Sequence, residues 1–180
     1  MMHESVDVPY AEVNGHQILQ LPYAGADIDM VIVLPAEGEF RSFERSLDAS
    51  RLADLLSATE SREGDLALPR FEVRSDLSLP NYLKAMGMER AFTRQADFTG
   101  MATGSGGEKL KLDDVRHEAT VTVDEQGTEA AAATGVEVVL VSAPANPFEM
   151  TVDRPFLFAI RHRPTGAVLF LGRMVDAEGV

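Results

Sequence analysis

Val121-Thr122-Val123-Asp124-Glu125-Gln126-Gly127-Thr128-Glu129-Ala130-Ala131-Ala132-Ala133-Thr134 is the stretch on which the fold turns. Its first residues end the clearest strand pattern in the chain, Val115 to Val123. Val115, His117, Ala119, Val121 and Val123 share one face, and Arg116, Glu118, Thr120, Thr122 and Asp124 the other. That alternation is the mark of a half-buried strand. The remaining residues open a connection that runs on to Pro147, and so long a connection inside a compact fold is functional or unstructured. Read with period two, Thr128, Ala130, Ala132, Thr134, Val136, Val138 and Leu140 line one face, with Glu129 and Glu137 opposite. This is how a strand buried on one side is written, with unusually small inward residues first. Small side chains enter a crowded sheet without steric penalty, and Gly127 frees the backbone to bend. Alanine is also the best helix former. The residues alone therefore leave a helix or passive linker open beside a conditional strand.

Working outward, Gln17 to Tyr23 and Ile28 to Leu34 are apolar segments split by Ala24-Gly25-Ala26-Asp27, which predicts a β-hairpin. Phe40, Phe43 and Leu47 then fall at helical spacing, as do Leu52, Leu55 and Leu56 behind Asp48, a candidate cap. Asp65 to Val73 is extended, and Pro80 opens a short helix that Gly87 closes. Gly100 to Gly107 reads as a flexible connection. Phe148 to Val152, Pro155 to His162 and Val168 to Val175 are strand patterns, the last two joined by the turn Pro164-Thr165-Gly166. The pattern is α+β and β-rich, with no internal repeat and no domain boundary over residues 1–180.

Composition narrows the function. The 180 residues are 45% hydrophobic and 25% charged, an ordinary globular balance. The net charge of -13, from 29 acidic and 16 basic residues, opposes binding to nucleic acid or to an anionic membrane surface. There are no cysteines, which removes disulfide scaffolds, thiolate metal sites and a cysteine nucleophile. His3, His16, His117 and His162 are scattered without metal-ligand spacing, and Asp113-Asp114 lacks the rest of a calcium loop. Gly104-Ser105-Gly106-Gly107 has no base or orienting acid at a useful spacing. No enzyme activity, metal or cofactor is expected. The opening Met1-Met2-His3-Glu4 has neither the basic region nor the apolar run of a signal peptide.

Val121 to Thr134 resembles the strand and hinge that precede the reactive-centre loop of a serpin, a serine protease inhibitor. Asp153-Arg154-Pro155-Phe156-Leu157-Phe158 and Leu169-Phe170-Leu171-Gly172-Arg173 resemble the family's closing strands. Leu68-Pro69-Arg70-Phe71 and Ala96-Asp97-Phe98-Thr99-Gly100 match further landmarks in the same order. The resemblance implies the carboxy-terminal half of the serpin fold, with an exposed reactive-centre loop within residues 125–147 and the amino-terminal half absent. It implies a suicide substrate, in which a protease attacks the loop, forms an acyl-enzyme and is trapped as the loop inserts into a sheet.

By family spacing the scissile bond is Val141-Ser142, with Leu140 or Ser142 as register alternatives for the primary residue. A valine suits the small apolar pocket of an elastase- or subtilisin-like protease. The resemblance implies a hinge of Glu125, Gly127, Thr128, Ala130, Ala131, Ala132, Ala133 and Thr134. Conformational control falls to Arg70, paired with Glu125, and to His117. An extracellular or cell-envelope location is the family expectation. A half-fold is also expected to self-associate through exposed sheet edges, and the alternative is a fragment that serves only as protease substrate or strand-donating module.

Overall fold

The computed structural model describes residues 1–101, 110–124, 127–128 and 146–175. The chain divides into two compact units, Met1–Val73 with Thr122–Val180, and Arg74–Val121.

The first unit is built on a seven-stranded sheet. Its strands are β1 (Met2–Val13), β2 (His16–Pro22), β3 (Ile28–Leu34), β4 (Glu60–Leu68), β8 (Phe148–Thr151), β9 (Phe156–His162) and β10 (Ala167–Met174). Their order is β10-β9-β3-β2-β1-β4-β8. The predicted hairpins are present: β2 pairs antiparallel with β3, and β9 with β10. No strand is expected before Gln17 from the pattern, yet β1 runs for 12 residues. Pro9 obscures it, because proline interrupts a strand pattern. The β1–β2 ladder begins only at Tyr10, so Pro9 stands where β1 has β4 as its one partner. Asn14 (φ 53°) and Gly15 (φ 78°) make the reversal into β2, the Asn-Gly pair that a two-residue hairpin turn favours.

Central β3 is buried along Asp29–Leu34, because both faces are covered. On one face Ile18, Val31, Val33, Leu157 and Ala159 meet Phe43 of α1 (Phe40–Ser46) and Leu55 of α2 (Ala49–Ser57). On the other, Ile32 lies beside Leu19 and Phe158, and the Phe71 ring reaches Phe158 and Phe156 at 5.2 and 5.4 Å. Helices of seven and nine residues are marginal alone. Burying Phe43 and Leu55 contributes about 1.5–3 kcal/mol each, so packing holds them. Asp48 caps α2 as expected, its carboxylate accepting from the Arg51 amide at 2.8 Å.

The extended segment predicted over Asp65 to Val73 divides at Pro69-Arg70 into β4 and β5 (Phe71–Ser78). Proline cannot continue a ladder. In the second unit, α3 (Pro80–Ala85) starts on Pro80 and ends before Gly87, whose φ is 98°. A short 3-10 turn (Arg90–Phe92) follows. Lys84 lies over the Phe92 ring at 5.2 Å, and the Leu79 amide donates to the Val115 carbonyl at 2.8 Å. A separate three-stranded sheet has the order β5-β6-β7, with β6 at Arg116–Asp124 and β7 at Gly127–Thr128.

At one end of the main sheet Asp29 is 1% exposed. Arg161, directly opposite on β9, binds both of its oxygens at 3.1 and 2.6 Å and also reaches Gln20 Oε1 at 2.9 Å. Replacing Arg161 with Met leaves a buried carboxylate without its main partner. The expected loss of stability is about 3–5 kcal/mol, measured as a lower urea midpoint. An unchanged midpoint contradicts this role.

Candidate functional site

Most of the predicted loop lies outside the described residues: Glu125, Ala130, Ala131, Ala132, Ala133, Thr134, Val141 and Ser142. Its two anchors are described. At the near end, β7 pairs antiparallel with β6, Val123 opposite Thr128 and Asp124 opposite Gly127. Val121 and Val123 are buried and Ala119 half-buried, while Thr120 and Asp124 are exposed. The predicted alternation therefore holds along this part of β6. His117 is exposed, although the alternation placed it on the same face as Val121 and Val123. Arg70 is exposed directly after Pro69, and Glu125, its expected partner, lies outside the described residues.

The far anchor is β8, whose strand pattern from Phe148 is legible in the sequence, although the contacts that hold it are not. Phe148 stacks on Tyr10 with ring centroids 4.3 Å apart and planes within 8°. The Arg62 guanidinium lies 5.5 Å from the Tyr10 centroid. Gln17 Nε2 donates at 2.9 Å to both the Tyr10 hydroxyl and the Glu149 carbonyl. Burial pushes the Tyr10 phenol above its ordinary pKa and Glu12 adds to this; the Gln17 hydrogen bond and Arg62 oppose it. The tyrosine stays neutral and stacked throughout the physiological range. β8 runs parallel to β4, Gly64 opposite Phe148, and the Val152 amide donates to the Ala67 carbonyl at 2.8 Å. A Cβ on Gly64 would overlap the Phe148 ring and carbonyl. Glycine inside a strand signals such an approach, so Gly64 was the readable clue.

Among the described residues no group of three His, Asp or Glu side chains is placed to hold a metal ion. None of their helices is long and apolar enough to cross a membrane. His162 Nδ1 lies 2.7 Å from Thr165 Oγ1 and His16 is buried in the first unit, so neither joins the loop anchors.

If Gly64 admits Phe148 as the structure shows, Gly64→Ala forces the ring aside. The Val152 amide should then exchange with solvent at least tenfold faster, about 1.4 kcal/mol of local stability, at the low end of overpacking costs. Unchanged protection at Val152 contradicts the anchor.

The serpin family model, described as a serine protease inhibitor, matches residues 1–177. An uncharacterized serpin-like protein of Thermococcus kodakarensis is 40% identical over 181 residues, covering 99% of this chain and 41% of its own length. Human Serpin B4 is 40% identical over 160 residues, covering 87% of this chain and 40% of its own. Among solved structures, the native state of the thermophilic serpin tengpin matches with a TM-score of 0.76 and 27% identity, over 97% of this chain and 45% of that one. Human thyroxine-binding globulin complexed with its hormone matches with a TM-score of 0.77 and 30% identity, over 98% and 45%. The chain thus spans less than half the length of these relatives. With the family model matched over nearly the whole chain and these relatives alongside it, the chain belongs to the serpin family.

Proposed function

We propose that the chain carries the bait loop of a serpin-type inhibitor of serine proteases, with the hinge in residues 125–134 and Val141-Ser142 as the cleaved bond. The carrying observation is the β6–β7 register. Val123 lies opposite Thr128 and Asp124 opposite Gly127, so each step back along β6 is matched by one step forward along the ribbon. Continued along β6, that register sets Ala130 opposite Val121, Ala132 opposite Ala119 and Thr134 opposite His117. Directly opposed residues share a face. The small residues of the ribbon would therefore lie on the face where Val121 and Val123 are buried, and Glu129 would lie on the other. His117, exposed until then, would gain a neighbour at the end of the alanine run. Glu125 would pair with Arg70 at the start of insertion.

The chemistry belongs to the protease, and no catalytic role is proposed for this chain. The protease serine oxygen bonds to the Val141 carbonyl carbon, and the bond to the Ser142 nitrogen breaks. The protease histidine delivers the proton to the leaving amine. Val141 fits a small apolar primary pocket of the elastase or subtilisin kind. An extracellular or cell-envelope setting rests on the family expectation alone.

A second reading is favoured by the coverage of 40–45% of each relative. In it the loop is cut but the protease is released, because strands supplied by the rest of the relatives' length are needed for trapping. Exposed strand edges would also favour self-association. β10, at the sheet edge, leaves Val168, Leu169, Phe170 and Leu171 at least 40% exposed.

Incubation with an elastase-like protease separates these readings. A dodecyl-sulfate-stable covalent band supports the inhibitor, and clean cleavage after Val141 without that band supports the substrate. No cleavage within residues 125–147 removes both. If the band forms, Ala130→Arg should abolish it and leave cleavage intact, since continuing the ladder opposite buried Val121 would bury an unpaired charge at a cost of several kcal/mol. Trapping by that variant at the original yield would overturn the hinge assignment.

A further inference from the structure

His16 begins β2 and is 6% exposed, where the sheet meets α1. Its hydrogen-bond partner assigns its tautomer. The Ala36 amide donates to His16 Nδ1 at 2.9 Å, so Nδ1 must offer a lone pair and carry no proton. The ring meets Phe43 edge-on at 4.7 Å between centroids, and Phe43 is part of the apolar cluster that binds α1 and α2 to the sheet. Two charged groups act on the imidazole. Glu39, preceding α1, brings a carboxylate oxygen to 3.7 Å from Nε2. Arg51 of α2 covers the Phe43 ring at 4.7 Å. Arg154 holds the adjoining turn, donating from Nε to the Pro35 carbonyl at 3.0 Å.

We infer that His16 is a pH-sensitive latch that holds the turn before α1 to the sheet when neutral and releases it on protonation. A proton added at Nδ1 turns the acceptor into a donor facing the Ala36 N–H, and two donors cannot share one hydrogen bond. The Ala36 amide is then left without a partner, which is costly in a half-buried turn. Glu39 offers the new cation a partner on the other side of the ring, at a largely exposed carboxylate. Protonation therefore exchanges a backbone anchor for a side-chain ion pair and loosens the Pro35–Glu39 turn first.

The direction in pH follows. Burial holds the His16 pKa below its ordinary value and Arg51 acts the same way, with Glu39 opposing both. The opened form has the ordinary value, about 6.5, and so binds the proton more readily than the closed form. Closure is complete above about pH 6.5 and weakens as the pH falls below it, until the lowered value of the closed form is reached. The opening equilibrium changes by at most about tenfold per pH unit over that window. This inference is independent of the bait-loop reading, since it uses no residue of the ribbon.

The test follows the Ala36 amide by hydrogen exchange, corrected for intrinsic rate, between pH 7.5 and 5, beside the nitrogen-15 shifts of the His16 ring. At pH 7.5 the ring should be the tautomer with a bare Nδ1. Ala36 protection should then fall as His16 titrates, and earlier than that of the β2–β3 ladder amides. In His16→Gln, which keeps an acceptor but cannot titrate, protection should not vary over this range. If that variant does not fold, the ring shifts and Ala36 protection of the natural chain decide the matter. Ala36 protection that stays constant while His16 takes up its proton would overturn the latch, as would an equal pH-dependent loss in a folded His16→Gln.

Discussion

β9 lies between β3 and β10, and this position ties the last part of the chain to its first. Two features enforce it. The apolar residues of β3 and β9 oppose one another across the ladder, Ile32 with Phe158 and Val33 with Leu157. Asp29 and Arg161 close the same ladder with a largely buried ion pair. A charge pair of this kind adds little net stability compared with apolar packing, but it penalises a shifted register, because a slip leaves a carboxylate buried alone. β8 precedes β9 by only a few residues yet pairs with β4 at the far edge of the sheet, where the Phe148–Tyr10 stack fits it.

The consequence for function is a ribbon secured at both ends. One end follows β7 of the three-stranded sheet and the other precedes β8 of the seven-stranded sheet. Such a tether suits a bait. In the proposed mechanism, cutting it would relieve the constraint at one point and free the strand to continue beside β6 the register that Gly127 and Thr128 begin. Alanines and threonines lower the steric barrier to continuing that register, whereas branched or charged residues would raise it.

Much of this was legible from pattern. The β2–β3 and β9–β10 hairpins, the Asp48 cap, the Pro80 helix start and the alternation along β6 all follow from local chemistry, and local chemistry is what a sequence states most directly. β1 was hidden because Pro9 broke a pattern that its neighbours Val6, Val8 and Tyr10 supported. The break at Pro69-Arg70 was equally local, and Pro69 was the readable sign of it. The far anchor was not legible for a different reason. Tyr10 and Gln17 meet across the β1–β2 hairpin, but Gly64 and Phe148 are distant from them in sequence, and the β1–β4 and parallel β4–β8 pairings bring them together. The two-sided burial of β3, by contrast, could be anticipated from its unbroken apolar run.

The central claim is that the ribbon extends the β6–β7 ladder in its existing register. The absence of natural cysteines makes it directly testable. In a variant carrying Ala119→Cys and Ala132→Cys, the two thiols face each other only if that register is continued, at a separation a disulfide spans. Mild oxidation after cleavage within residues 141–142 should give a cross-linked species, identified by peptide mapping, in far higher yield than before cleavage. Failure to cross-link after cleavage, while a pair one register away joins instead, would contradict the account.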